Sequence, residues 1–299
     1  SLCFDAIVKK EDTMRIFDCH SHWGTERGYL LRTPEALARQ EKVFKTKPQY
    51  LTEDEQAAYF RRNGVRALLD LSFTKALPLD EAAGYHDYAF EVQRRHADVI
   101  AGQWLQFDPR HGEAALREFR RCVDKGAGFA ALCVNGQVTG VPASDSLWDP
   151  FYRLSIDAAL PVMIFTGLTG IGQGAPGGDG IVLDDGHPRH IDRVAARFPT
   201  LKVLAARPAY PWQDEMIAVC LHKANVHYEL HGWTPRRFSP ALKDALRGPL
   251  QDRAMVGFDF PMLRYEKVLA DWQGEGYPAE LLDKLLCTNA ERYFGLGPA

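Results

Sequence analysis

The sequence predicts a (β/α)8 barrel of the TIM type, and three observations lead to this fold class. Eight short apolar or β-branched runs recur along the chain, and amphipathic, helix-like segments separate them. Several runs are apolar on both faces, as expected of parallel strands that helices cover. The 299 residues fit one barrel of about 250 residues that carries an insertion. The alternative is an open doubly wound sheet, but no GxGxxG motif follows the first run.

The eight runs predict the strands of one barrel in chain order. They are residues 15–22, 65–72, 99–108, 129–136, 161–168, 201–208, 226–232 and 253–261. Two of the intervening segments show the helical period clearly. The segment 112–126 places Leu116, Phe119 and Val123 on one face, and the segment 187–201 does the same with Ile191 and Val194.

We expect residues 14–299 to form one distorted barrel and residues 1–13 to be an N-terminal extension. An insertion at about 24–64 follows the first strand, in which Thr52 is expected to cap a helix and Gly64 to follow its end. The glycine-rich segment 167–180 follows the fifth run, so it lies over the C-terminal mouth of the barrel. This segment is either a lid or an ordinary surface loop.

Composition excludes several classes of function. The chain has 36 basic and 39 acidic residues, a net charge of −3, which argues against binding nucleic acid through bulk charge. No apolar run approaches the roughly 20 residues of a membrane span. The sequence contains no phosphate-loop motif, so we expect no nucleotide cofactor. Six scattered cysteines indicate reduced thiols and a cytoplasmic protein. A homodimer is expected only because symmetric dimers are common.

The first run ends in the pattern Asp18-Cys19-His20-Ser21-His22. Because side chains alternate along a strand, Asp18, His20 and His22 are expected to share one face, towards the mouth. Two imidazoles at this spacing can bind one metal ion, while Asp18 orients a histidine. The alternative is a hydrogen-bonded polar pair without a metal.

Asp259 ends the eighth run, which neighbours the first run in a closed barrel. It can ligate a metal or act as general base, or it can cap the turn before Pro261. Asp259, His20 and His22 are therefore the candidate catalytic residues and also the candidate metal ligands.

Other residues that follow strand ends are candidates for substrate binding. They are Trp23, Glu26, Tyr210, Trp212, His231 and Trp233. Aromatic walls around a mouth suit a flat, cyclic or aromatic substrate, and His231 could serve as a ligand or base. Packing beneath the loops is the alternative for each of them. We expect the remaining histidines outside strand ends to lie on the surface or to cap helices, namely His86, His96, His111, His187, His190 and His222.

From Met14 onward the chain resembles the amidohydrolase superfamily, in its amidohydrolase-2-type branch of decarboxylases and hydrolases. The resemblance lies in residues 18–22, 107–110, 187–199, 209–212, 258–262 and 288–296. It implies a distorted (β/α)8 barrel and usually one divalent metal ion.

The chain departs from that family at two positions. Phe165, in the segment 164–167, stands where the family usually has a histidine ligand after strand five. Arg207, in the segment 206–209, stands where the family usually has a catalytic histidine after strand six. A phenyl ring binds no metal, and a guanidinium is permanently charged. The ligand set that the resemblance implies is thus reduced to His20, His22 and Asp259.

Two versions of the site follow. In one, a weakened site binds zinc or manganese. In the other, no metal is bound, the same three residues act as acid, base and hydrogen-bond donors, and Arg207 anchors a substrate carboxylate. The leading hypothesis is hydrolysis of a small cyclic or aromatic carboxylic acid derivative, a lactone or an amide. The alternatives are non-oxidative decarboxylation of an aromatic or unsaturated acid, and a degenerate or biosynthetic barrel that reuses the pocket for a small acid.

Overall fold

Eight parallel strands, each paired with the next one in sequence, form a single sheet that curls into a nearly closed barrel. The computed structural model describes residues 14–30, 33–47, 49–125 and 128–297, so the predicted extension at 1–13 lies outside the described residues. The strands are β1 (Ile16–His22), β2 (Val65–Asp70), β3 (Ile100–Leu105), β4 (Phe129–Val134), β5 (Val162–Phe165), β6 (Val203–Ala206), β7 (Val226–Glu229) and β8 (Ala254–Met255). Each lies within one of the eight predicted runs, and the predicted fold class is confirmed.

Helices follow or connect the strands in the described part of the chain. They are α1 (Pro34–Phe44), α2 (Glu53–Arg62), α3 (Leu79–Arg95), α4 (Gly112–Asp124), α5 (Gly136–Thr139), α6 (Asp149–Asp157), α7 (Pro188–Arg197), α8 (Gln213–His222), α9 (Pro240–Arg247), α10 (Tyr265–Gln273), α11 (Ala279–Asp283) and α12 (Asn289–Phe294). The two segments with a clear helical period form α4 and α7, with Phe119 and Ile191 fully buried.

The segment between β1 and β2 contains α1 and α2. Thr52 caps α2 as expected: its hydroxyl accepts a hydrogen bond from the Glu55 backbone N–H, and the Glu55 carboxylate accepts one from the Thr52 backbone N–H. This reciprocal pair satisfies two donors that a helix N-terminus otherwise leaves free. Gly64 follows the helix with a φ of +65°, a backbone conformation that favours glycine.

Apolar side chains pack in two layers, one inside the barrel and one between the sheet and its helices. The inner layer includes Phe17, Cys19 and Trp104, and the outer layer includes Ile16 and Trp23. The five cysteines in the described residues are buried and free of disulfides. In the same part of the chain, no helix combines the length and apolarity needed to cross a bilayer.

The barrel closes where β1 meets the segment after β8. The Cys19 N–H donates to the Val256 carbonyl at 3.2 Å, and the Asp259 N–H donates to the His20 carbonyl at 3.0 Å. Because of this seam, the histidines at the end of β1 lie directly beside Asp259.

The buried Asp18 carboxylate holds the same seam together. It accepts hydrogen bonds from the backbone N–H groups of His20 (3.1 Å) and Phe258 (2.9 Å), from the Tyr265 hydroxyl (2.6 Å) and from the Ser21 hydroxyl. Burial raises the pKa of Asp18 to about 6, although all four donors favour the ionised form. Asp18 thus connects β1, the segment after β8 and α10.

The expectation that Asp18 shares a face with His20 and His22 is wrong. The pairing of β1 with β2 shifts register between Asp18 and Ser21, which changes the phase of the alternation. Phe17 and Cys19 face the inside of the barrel, and Asp18 contacts Tyr265 of α10 instead. Since its contacts are made through backbone N–H groups and hydroxyls, Asp18 positions the first strand rather than an imidazole ring.

Replacing Asp18 should destabilise the whole barrel. In Asp18→Asn, one acceptor oxygen becomes a donor, so buried donors lose their partner at a cost of about 1–3 kcal/mol. We expect the thermal midpoint to fall by roughly 5 °C or more, measured by circular dichroism. Tyr265→Phe removes one donor only and should have a smaller effect, and the exposed Asp124→Asn serves as control. An Asp18→Asn protein that melts with the wild type would contradict this role.

Candidate active site

A cavity of about 170 Å³ opens at the carboxyl ends of the strands. An engineered apolar cavity of about 150 Å³ accepts benzene, so this space suits one ring with small substituents. Much of its wall is aromatic, formed by Tyr29, Phe44, Phe73, Phe165 and Trp233. The polar groups His22, Lys75, Arg207 and Asp259 also line the cavity. Aromatic walls combined with converging polar groups are typical of a small-molecule site.

His20 lies beneath the floor of the cavity. Its side chain is fully buried, and the ring stacks on His231 at 4.0 Å and meets the edge of Phe165 at 5.3 Å. Its Nε2 is 3.1 Å from Oδ2 of Asp70 at the end of β2. Burial lowers the pKa of His20 to about 4 and that of His231 to about 3, so both rings are neutral at neutral pH.

His22 and Asp259 form a hydrogen-bonded pair at the cavity surface. His22 Nε2 is 3.0 Å from Asp259 Oδ1, and His22 Nδ1 is 2.8 Å from the Ser72 hydroxyl. Burial opposes a charge on His22, but the hydrogen bond and the charge of Asp259 outweigh it and raise the pKa of His22. Burial likewise opposes ionisation of Asp259, and His22 outweighs it, so the pKa of Asp259 lies well below its usual range. The pair offers a proton donor and an acceptor side by side.

Arg207 places its cation over the ring of Phe165. Its Cζ atom is 4.3 Å from the centre of the Phe165 ring, so the two departures from the family pattern contact each other. Its Nε donates to Nε2 of His231 at 3.4 Å. Its Nη1 is buried and has no hydrogen-bond partner among the described residues. A guanidinium nitrogen in this state is suited to an anionic group of a ligand.

Glu229 and His231 hold Arg207 from behind. Glu229 and His231 are almost fully buried, and Glu229 Oε2 contacts His231 Nδ1 at 2.5 Å. Because Arg207 can only donate, His231 Nε2 must accept, which leaves the imidazole proton on Nδ1 facing Glu229. Arg207 and Asp259 also have positive φ angles, of 74° and 59°, which non-glycine residues adopt only when their surroundings require it.

The donor set fits a divalent metal ion in number and type. Ligand atoms of His20, His22 and Asp259 all lie within 4.8 Å of one another, and imidazole and carboxylate are common ligands of zinc and manganese. The positive charge of Arg207 close by opposes the binding of a second cation, and Phe165 supplies no ligand. The residues present therefore fit a metal ion, and one cation lies close to them.

Of the residues expected to contact substrate, Arg207 and Trp233 line the cavity. His231 is buried behind Arg207, where it contacts the guanidinium. Tyr210 is 48% exposed and packs on Trp233 at 5.3 Å, on the outer side of the mouth. Trp212 packs against His187, with ring centres 4.6 Å apart.

Trp23 and Glu26 do not line the cavity, which corrects the expectation for both. Trp23 is fully buried in the outer core layer, where its indole N–H donates to Gln103 at 3.2 Å. Side chains alternate, so the residue after the inward-facing His22 points outward. Glu26 is exposed to solvent.

The expectation that His86 is a surface or capping residue is wrong as well. Its ring is fully buried and contacts Glu118 of α4 at 2.7 Å. His187, in contrast, caps α7 by accepting from the Arg189 N–H. His190 is buried and contacts the Ser144 hydroxyl at 2.8 Å.

Sequence reasoning missed Asp70, Gln106 and Lys75. Asp70 ends β2, and Gln106 follows β3, so the strand-end rule that found Asp259 could have found them too. Gln106 donates to Asp70 Oδ2 at 2.5 Å, and the Lys75 ammonium donates to Gln106 Oε1. Lys75 lies in a short 3-10 turn after β2, and no local pattern in the sequence marks it as a site residue.

Solved structures with the same architecture cover almost the whole chain. An uncharacterised TIM-barrel protein of Bordetella bronchiseptica is 18% identical, with a TM-score of 0.73 over 94% of this chain and 98% of that one. A 5-carboxyvanillate decarboxylase of Novosphingobium aromaticivorans, complexed with manganese and 4-hydroxy-3-methoxy-5-nitrobenzoic acid, is 17% identical, with a TM-score of 0.70 over 96% and 97%. A 2,6-dihydroxybenzoate decarboxylase from Rhizobium is 15% identical, with a TM-score of 0.67 over 95% and 99%. At these identities the likeness shows the fold.

Sequence comparison gives the family. No curated protein sequence matched the chain. A family profile described as amidohydrolase matches residues 17–296, which is nearly all of the part that forms the barrel. The matched range includes the histidines of β1, Phe165, Arg207 and Asp259 after β8. The chain belongs to the amidohydrolase family.

Proposed function

We propose that this amidohydrolase-family enzyme hydrolyses a small cyclic or aromatic carboxylic acid derivative, a lactone or an amide, and depends little on a metal. The observation that carries the proposal is that Arg207, whose buried Nη1 has no hydrogen-bond partner among the described residues, lines the same cavity as the His22–Asp259 pair. An anchor for a carboxylate and a pair able to move a proton therefore lie around one slot.

The anchor argues for reaction at a group other than the carboxylate that it holds. A guanidinium stabilises a carboxylate anion in a bidentate fashion. Loss of CO₂ would move that negative charge away from Arg207 into the ring, so the same contact would raise the barrier to decarboxylation. A carboxylate that stays intact as a handle is better matched to hydrolysis of a neighbouring bond.

In the hydrolysis, Asp259 accepts a hydrogen bond from the attacking water, and His22 holds Asp259 in place. The water oxygen bonds to the carbonyl carbon, the bond to the ring oxygen or nitrogen breaks, and the proton from water passes through the pair to the leaving atom. Phe165, Phe73 and Trp233 exclude other water from the slot. If His20, His22 and Asp259 hold a divalent ion, the chemistry it supplies is polarisation of the carbonyl oxygen.

Non-oxidative decarboxylation is the second candidate, and the solved neighbours favour it. Two of the similar structures are named as decarboxylases of aromatic acids, and one of them was complexed with manganese. In that reaction the bond between ring carbon and carboxyl carbon breaks, CO₂ leaves, and the His22–Asp259 pair returns a proton to the ring carbon.

Removing the guanidinium should weaken the binding of a simple carboxylate. We expect Arg207→Met to bind benzoate about tenfold or more weakly than the wild type, since a charge-assisted hydrogen bond is lost. Arg207→Lys keeps the positive charge but not the two parallel N–H donors of the guanidinium, so its affinity for benzoate should fall less. The control is Arg236→Met, because Arg236 is an exposed cation outside the slot. Isothermal titration calorimetry measures all four proteins, and equal affinities would exclude Arg207 as the anchor.

The two reactions differ in their products. We expect the enzyme to release acid but no CO₂ from a panel of aromatic lactones, amides and hydroxybenzoates. A pH-stat titration measures the acid, and a CO₂ assay is run in parallel. Asp259→Asn should reduce the rate at least about 100-fold, because it removes the proton acceptor. Release of one CO₂ per turnover would establish decarboxylation instead. Binding without turnover across the panel would support the degenerate barrel.

Metal binding should be weak in the wild type and recoverable by restoring the usual histidines. After dialysis against a mild chelator, we expect elemental analysis to find well below one zinc or manganese per chain. The double variant Phe165→His/Arg207→His removes the cation and adds imidazoles, so it should retain about one ion per chain. A wild-type protein that keeps a full equivalent through dialysis would contradict the weak site.

A further inference from the structure

We propose that the ligand of the cavity carries two separate acidic groups, one held by Arg207 and the other by Lys75 on the opposite wall. The inference rests on the proposed function for the first group and extends it to the substrate class, a compact cyclic diacid. Nothing in the sequence pattern pointed to Lys75, so the observation comes from the tertiary structure alone.

Within the described part of the chain, two cations that line the cavity have no acidic partner in an ion pair. Among the acidic and basic residues that line it, Arg39 pairs with Asp179 at 2.8 Å, and His22 pairs with Asp259 at 3.0 Å. Lys75 and Arg207 are the remaining charged residues in that lining. The hydrogen-bond partners of these two are neutral, the Gln106 amide and the His231 ring.

The carboxyl groups behind the two walls, Asp70 and Glu229, form no ion pair with either cation in the described part of the chain, although one oxygen of each has no hydrogen-bond partner there. Asp70 is buried and accepts from the Gln106 amide while it contacts His20, and Glu229 contacts His231. Asp70 stabilises the charge of Lys75 at longer range, but it does not reach the ammonium directly. Both cations therefore still present donors to whatever fills the slot.

The topology places the two cations across the barrel from each other. Lys75 lies in the turn that follows β2, and Arg207 directly follows β6. In a barrel of eight strands in sequential order, β2 and β6 lie four strands apart and are diametrically opposite. One carboxylate at either wall would leave the opposite cation facing the ring of the ligand.

Each cation also lies beside an aromatic side chain that lines the slot. The Lys75 ammonium is 5.3 Å from the centre of the Phe73 ring, and the Arg207 Cζ is 4.3 Å from that of Phe165. Burial lowers the pKa of Lys75 to about 8, because the ammonium has lost most of its water. When a ligand displaces the remaining water, a buried cation without an anionic partner is costly. A flat ring with an acidic group at each end satisfies both walls.

The test compares two ligands of the same shape on the full chain. Isothermal titration calorimetry uses benzene-1,4-dicarboxylate, its monomethyl ester and benzoate as probes. We expect the diacid to bind wild type about tenfold or more tightly than the monoester, since the ester removes one charge only. Lys75→Met should abolish most of this preference, and Lys75→Arg should keep much of it.

Arg39→Met is the matched control, because Arg39 lines the same cavity but is already paired with Asp179. It should keep the preference for the diacid. A diacid that binds wild type no better than the monoester would overturn the inference, and this comparison needs no variant that could fail to fold.

The outcomes also separate this inference from the proposed function. If benzoate binding depends on Arg207 but the diacid is not preferred, the proposal of a second acidic group is overturned. The proposal that Arg207 anchors a carboxylate then still stands. Benzoate affinity that falls equally in Lys75→Met and Arg207→Met shows that both cations hold one carboxylate, which also overturns the second acidic group. If none of the three acids binds wild type, both proposals fail.

Discussion

The geometry of this site depends on the seam between the first and last strands. β8 has only two residues, so regular ladder bonds contribute little there. The buried Asp18 carboxylate supplies the missing connection by accepting from both strands and from Tyr265. A carboxylate with four donors is stable in the interior, whereas the same donors without it would be costly. The seam in turn brings His22 and Asp259 to 3.0 Å, which creates the acid–base pair.

The second determinant is the contact between Phe165 and Arg207. These residues meet as a cation over a ring, and the pair is held from behind by His231 and Glu229. The positive charge of Arg207 opposes a metal cation and attracts an anion at this place. His20, His22 and Asp259 keep their positions through hydrogen bonds of their own. The site thus combines a hydrogen-bonded histidine–aspartate pair with a guanidinium around one cavity.

Coverage of the mouth comes from segments distant in sequence. Phe44 and Arg39 of α1 meet the glycine-rich segment at the cavity, where Arg39 pairs with Asp179. Both side chains are about 44% exposed, so this ion pair contributes little to stability. An ion pair of this strength can open without great cost.

The sequence by itself determined the eight strands, the amidohydrolase family and the positions of His20, His22, Asp259 and Arg207 at strand ends. Hydrophobic runs and strand-end residues are local signals, so they can be read without coordinates. Only the tertiary structure decided that Asp18 faces away from the mouth, because a register shift in β1 is a property of strand pairing. It alone showed that Trp23 lies in the outer core layer, that Asp70 contacts the His20 ring, and that Lys75 and Arg207 follow strands on opposite sides of the barrel. Those relations join residues from different strands, and they exist only once the barrel has closed.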